Sequence, residues 1–204
     1  MPAVERLLAQ LRPYVADSRV LDAMRAVPRD HYVAASQRGE AWENVALPIA
    51  CGQTISQPLV VARMCELLRL HGSEIVLDVG TGSGYHAAVL ARLARHVYSI
   101  EVHAALAEAA AAALEADGVA NVTVVVGDGS RGLPQRAPFD AINVAAAAAD
   151  EVPHALLEQL APDGRLVAPV GGGEQRLVRI RRTPSGFTRE SLEGVRFVPL
   201  VEEI

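Results

Sequence analysis

The stretch Ile75-Val-Leu-Asp-Val-Gly-Thr-Gly-Ser-Gly-Tyr85 decides the reading of this chain. Strand-favouring residues lead into Asp78, and Gly80, Gly82 and Gly84 then alternate with Thr81 and Ser83. The pattern predicts a strand, a tight turn and the start of a helix. Glycine lets the backbone bend to positive φ and approach a ligand closely. Free N–H groups at the turn and the helix start can face an anion or a polar edge. A dinucleotide fingerprint would place its third glycine at position 85, but here it comes one residue early, at Gly84. Asp78 would also set a negative charge beside a pyrophosphate. A cationic or neutral ligand suits the site better. S-adenosylmethionine, with a sulfonium, an ammonium and no phosphate, fits. Glu101 ends the next strand-like run, His96 to Glu101. An acid about twenty residues past the glycines can accept ribose hydroxyls.

Working outward, strands are predicted at 75–79, 96–101, 122–126, 139–144 and 164–170, with helices at 84–94, 103–117 and 151–161. The early strands are nearly continuous apolar runs, as expected when helices cover both faces of a parallel sheet. Beyond Gly171-Gly-Gly173 two strands are predicted, 175–182 and 195–201, around a polar turn at Pro184-Ser-Gly186. No helix separates them, so they form an antiparallel addition. Residues 1–35 read as short helices, 37–58 as a long irregular segment, and Pro58 opens a helix that stops at His71-Gly72. Long irregular segments usually carry function. The whole, 1–204, reads as a single domain: N-terminal helices and a substrate loop over 1–57, then a donor-binding core with C-terminal strands over 58–204.

Ligands in open α/β sheets gather beyond the carboxyl ends of the strands. Asp78, Glu101, Gly127-Asp128-Gly129 and Val144-Ala145-Ala146 should therefore border one crevice. Asp128 either accepts from an adenine amine or closes its strand as an Asx turn. Asp78 either accepts from the donor's ammonium or holds the glycine turn. In the loop 47–58, Thr54, Ser56 and Gln57 supply more hydrogen-bonding groups than one helix cap needs, which points to a substrate site. His86 either lies near the donor or is only a polar residue at a helix start, and Trp42 either packs its loop down or lines the substrate site.

The composition excludes several classes. The chain has 204 residues, a formal net charge of -5 and no basic block for nucleic acid. Two cysteines and scattered histidines form no metal-ligand or disulfide pattern, so no metal is expected. Neither a signal peptide nor a membrane-spanning run is evident. A cytoplasmic protein is expected. G-x-S-x-G is absent, which argues against hydrolase chemistry.

With these residues in view, the chain resembles the protein-L-isoaspartate O-methyltransferases. The marks are Val27-Pro-Arg29, Ala41 to Ile49, Gly52-Gln-Thr-Ile-Ser-Gln-Pro58, Val76 to Tyr85, Gly127-Asp-Gly129, Ala137-Pro-Phe-Asp140, Ala155 to Leu160 and Val195-Arg-Phe-Val-Pro-Leu200. They run in family order along almost the whole chain. The resemblance implies a Rossmann-like class I S-adenosylmethionine-dependent methyltransferase fold: an α/β, mostly parallel seven-stranded sheet with extra N-terminal helices. It implies S-adenosylmethionine held by Asp78, Gly80, Thr81, Gly82, Ser83, Gly84, Glu101, Asp128 and Gly129. It also implies isoaspartyl-containing proteins or peptides as substrates, and a monomer is expected. Their α-carboxylate would be methylated to start repair through a succinimide. Ser56 maps to the active site, and the substrate groove is expected between Thr54, Ser56 and Gln57 on one side and Val144 and Ala145 on the other. Ala145 and His86 stand where the family usually has Thr and Gln. The alternatives are an O-methyltransferase for the carboxylate of a dedicated peptide or small molecule, and a non-catalytic adenosyl-binding module.

Overall fold

The computed structural model describes residues 1–201. Helices α1 (Ala3–Leu11) and α2 (Ser18–Ala26) open the chain. Asp17 caps α2 by accepting from the Arg19 amide. A single helical turn at Arg29–Tyr32 and a two-turn 3-10 segment at Ala35–Glu40 follow. The segment expected to be irregular contains a small hairpin: β1 (Leu47–Pro48) pairs antiparallel with β2 (Thr54–Ile55). Helix α3 (Pro58–Leu68) starts on proline as expected, but it ends at Arg69, which turns left-handed at φ 49° two residues before His71. Its cap comes from across the loop, where Asn44 Oδ1 accepts from the Leu59 amide at 3.0 Å. Neither Ser56 nor Gln57 caps it.

The core alternates as the apolar runs require: β3 (Ile75–Val79), α4 (Tyr85–Ala91), β4 (His96–Glu101), α5 (Ala104–Ala116), β5 (Val122–Val126), β6 (Phe139–Val144), α6 (His154–Glu158) and β7 (Leu160–Val170). Then come β8 (Gln175–Thr183) and β9 (Gly186–Val195). The seven-stranded sheet has the order β5-β4-β3-β6-β7-β8-β9, parallel through β7 and antiparallel beyond. The order reverses beside β3, between β4 and β6, which is where open sheets bind ligands. Two layers of core form on opposite faces because side chains alternate along a strand. Val76, Val97, Ala141 and Val167 pack under α1 to α4, while Leu77, Val79, Ile142 and Val144 pack on the α6 side.

Two expectations need correction. The helix expected over 151–161 covers only His154–Glu158, and its last residues belong to β7, which starts four residues earlier than read. The final strand is 186–195, not 195–201. Its outer face is charged and exposed, so it carries no apolar run to reveal it. Residues 196–201 instead run across the carboxyl end of the sheet. The Ala147 amide donates to the Val198 carbonyl and the Leu200 amide to the Ala147 carbonyl, both at 2.8 Å.

Candidate active site

Two clefts open at the carboxyl ends of β3, β4 and β6. The first is lined by Gly80 and Gly82 of the glycine turn, by Ile100, Glu101, Val102 and His103 after β4, by Gly129, and by residues 198–201. Glu101 is buried at its strand end, and its two carboxylate oxygens accept from the amides of Gly82 at 2.8 Å and His103 at 3.0 Å. Each oxygen keeps a further lone pair for a ribose hydroxyl. Gly80 bends at φ 93°, and a Cβ there would sit 3.7 Å from Ala145. At Gly129 a Cβ would come within 2.5 Å of Val79 Cγ1, so only glycine allows this approach. A buried carboxylate and apolar walls suit a nucleoside without phosphate, as S-adenosylmethionine is.

The second cleft, about 640 Å³, is lined by Asn44 to Ala46, Ser56, Gln57, Val60 and residues 194–198. Thr54, Ala145 and Val198 line both clefts and form the wall between them. Ser56 faces the second cleft without a histidine or acid among the groove-lining residues, so nothing there activates it as a nucleophile.

Arg29 builds the acceptor loop from beneath. It is fully buried; its Nε donates to the Ala41 carbonyl at 2.9 Å and its Nη2 to the carbonyls of Val45 at 3.4 Å and Ser56 at 2.9 Å. Its guanidinium lies 4.8 Å from the centre of the Tyr85 ring, on the helix that follows the glycine turn. Burial pushes its pKa down to about 10, so it stays charged at neutral pH. Sequence reading noted the Val27-Pro-Arg29 mark but gave Arg29 no role. His103, one of the scattered histidines, lines the first cleft, and residues 198–201, expected to be strand, wall it.

Several expected site residues lie elsewhere. Asp78 points into the core beneath the turn, where its oxygens accept from Ser99 Oγ and Asn143 Nδ2, each at 2.7 Å. It therefore ties the sheet together under the turn and does not face the clefts. Burial pushes its pKa up to about 6, against the lowering effect of those two bonds. Thr81 continues the network, 2.7 Å from Ser99 Oγ. His86 is buried on the same side, its Nδ1 3.3 Å from Asn143 Nδ2 and its Nε2 3.5 Å from Cys65 Sγ, and desolvation takes its pKa down to about 3. Ser83 Oγ accepts from the Tyr85 amide at 3.3 Å. Gly84 serves helix packing, because a Cβ there would be 3.2 Å from Ala110 Cβ. Asp128 forms the Asx turn, its Oδ1 accepting from the Ser130 amide at 2.9 Å and hydroxyl at 2.7 Å. Val144 is wholly buried and reaches neither cleft; its neighbour Ala145 does. The side chain of Gln57 is tied to the Asn44 carbonyl at 2.9 Å while lining the groove. Trp42 packs against the core. No group of three metal-ligating side chains and no membrane-crossing helix occurs among the described residues.

A glycine turn and an acidic strand end at the reversal of a seven-stranded α/β sheet define a Rossmann-like methyltransferase that uses S-adenosylmethionine as cosubstrate. The family model described as "Protein-L-isoaspartate(D-aspartate) O-methyltransferase (PCMT)" matches residues 3–204, and the chain belongs to this family. A protein-L-isoaspartate O-methyltransferase of Parvibaculum lavamentivorans is 49% identical over 205 residues, covering 98% of this chain and 92% of that one. A solved protein-L-isoaspartate O-methyltransferase superposes with a TM-score of 0.88 at 27% identity, over 96% of this chain; this chain spans 65% of that protein. A second solved structure, a protein of this kind from Plasmodium falciparum in complex with S-adenosyl-L-homocysteine, superposes with a TM-score of 0.83 at 25% identity, covering 97% of this chain and 98% of that one.

Proposed function

We propose that the two joined clefts methylate the α-carboxylate of L-isoaspartyl residues in damaged proteins and peptides. The observation that carries this reading is the shared wall of Thr54, Ala145 and Val198, across which a donor and an acceptor can meet. When bound, S-adenosylmethionine supplies an electrophilic methyl group. Glu101 holds the ribose, and the turn at Gly80 and Gly82 lies along the donor. On the other side, the Ser56 hydroxyl and the loop's backbone N–H groups orient the acceptor. An ionised carboxylate needs no general base, so alignment carries much of the acceleration. The ester is a better leaving group than the carboxylate. The neighbouring backbone amide nitrogen displaces it, and the resulting succinimide hydrolyses in part to the normal linkage.

The test pairs an isoaspartyl peptide with its aspartyl twin and a labelled methyl donor. Label is expected on the isoaspartyl peptide alone, and Ser56→Ala should lower turnover while donor affinity holds. Equal labelling of the twins, or none, would overturn the reading in favour of a dedicated peptide or small-molecule acceptor. The exposed free thiol of Cys51 supports a reducing, cytoplasmic setting. Monomeric action is checked by sedimentation.

A further inference from the structure

Arg196 is the only charged side chain lining the acceptor groove among the described residues. Its neighbours there are neutral: Ser56, Thr54, Gln57, Ala145 and Phe197. Its place is held from the next residue, because the Gln175 side chain clamps Phe197 at both backbone groups. Gln175 Oε1 accepts from the Phe197 amide at 2.6 Å, and Nε2 donates to the Phe197 carbonyl at 3.1 Å. The side chain also borders the adjoining groove that carries Glu174 and Arg176, so it stands where the acceptor groove meets solvent. The chain as a whole has a formal net charge of -5. A single cation at the groove mouth therefore opposes a field that repels anions.

We propose that Arg196 is the specificity-determining residue that selects an ionised carboxylate and lets its neutral ester go. This rests on the acceptor reading of the groove. In the reaction a carboxylate oxygen forms a bond to the methyl carbon, the carbon–sulfur bond breaks with its electron pair going to sulfur, and no proton moves. A carboxylate and a sulfonium become an ester and a thioether, and both charges vanish. A cation at the groove mouth attracts the substrate and has no such hold on the product. Because Arg196 is exposed, the attraction is modest and screened, which draws the acceptor in without pairing the attacking oxygen tightly. Ser56, inside the groove, carries no charge and orients either form.

The experiment compares two end-blocked peptides, one isoaspartyl and one with the α-carboxylate replaced by its carboxamide, by calorimetry on protein saturated with S-adenosylhomocysteine. The wild type should bind the carboxylate peptide about three- to tenfold more tightly, the scale of an exposed charge pair. Arg196→Gln should remove that preference by weakening only the carboxylate peptide, and Arg196→Lys should keep most of it. Raising ionic strength should erode the preference in the wild type and leave Arg196→Gln nearly flat. In turnover, Arg196→Gln should raise KM with kcat almost unchanged. Equal weakening of both peptides, an unchanged preference, or a loss confined to kcat would each overturn the role of Arg196 alone. A wild type that binds neither peptide would overturn the acceptor reading, and Arg196 with it.

Discussion

Arg29 Nη2 donates a 2.9 Å hydrogen bond to the backbone carbonyl of Ser56, so a fully buried cation sets the position of the acceptor-side serine. The same guanidinium holds Ala41 and Val45 and lies over Tyr85. The acceptor loop and the helix after the glycine turn are thus packed on one side chain. Arg29→Met would leave three carbonyls without their donor. Only the Ala41 carbonyl is fully buried, so a loss of about 1–3 kcal/mol, the cost of one unmet buried polar group, is expected in urea denaturation. Arg29→Lys keeps the charge but lacks the forked donors. It should fold, bind donor normally and show impaired acceptor turnover; unchanged turnover would remove Arg29 from the loop's support.

Glu101 should govern donor affinity. Glu101→Gln keeps the shape but removes the charge that receives the amides of Gly82 and His103. Charge-assisted hydrogen bonds are worth about 1.5–3 kcal/mol, so S-adenosylmethionine binding measured by calorimetry should weaken at least tenfold. Unchanged affinity would place the ribose elsewhere.

His86 and Asp78 meet at Asn143 Nδ2 and push stability in opposite directions with pH. The pKa of His86 is lowered to about 3, so the unfolded chain takes up its proton first. Its contribution is present above about pH 6.5 and is lost as pH falls towards 3. Asp78 is raised to about 6, so its contribution is greatest below the ordinary carboxylate pKa near 4 and is lost as pH rises through 6. His86→Gln removes only the first effect. Between pH 7.5 and 5 the wild type should lose about 2 kcal/mol relative to this variant, read from denaturant midpoints at the two pH values. Parallel curves would mean that His86 is protonated in the folded protein.

Ala145 stands on the shared wall where the family usually has threonine. It packs against the glycine turn, and a Cβ on Gly80 would lie 3.7 Å from it. Ala145→Thr adds one hydroxyl facing both clefts. A neutral hydrogen bond is worth about 0.5–1.5 kcal/mol, so turnover should change by no more than about tenfold. The isoaspartyl preference should stay, because the two acceptors place the carboxylate one methylene apart. Kinetics on both peptides decide this, and a switch of preference would make residue 145 a selector of acceptors.

The strand–turn–helix at 75–85, the acid at Glu101, the glycine pair around Asp128 and the polar loop before Pro58 were legible in the sequence. Each is local: glycine spacing, apolar runs and a proline at a helix start encode their conformation within a few residues. Strand ends in an α/β sheet then share one edge by topology alone. Side-chain direction was decided only by the tertiary structure. Asp78 turns inward because its face of β3 meets α3 and α4, where Ser99 and Asn143 complete its bonds. Val144 is buried on the opposite face while Ala145, one residue on, reaches the clefts. Arg29, Arg196 and residues 198–201 come to the site from the two ends of the chain. Those contacts span up to most of its length and leave no periodic trace, because long-range packing, unlike a turn, is not written in neighbouring residues.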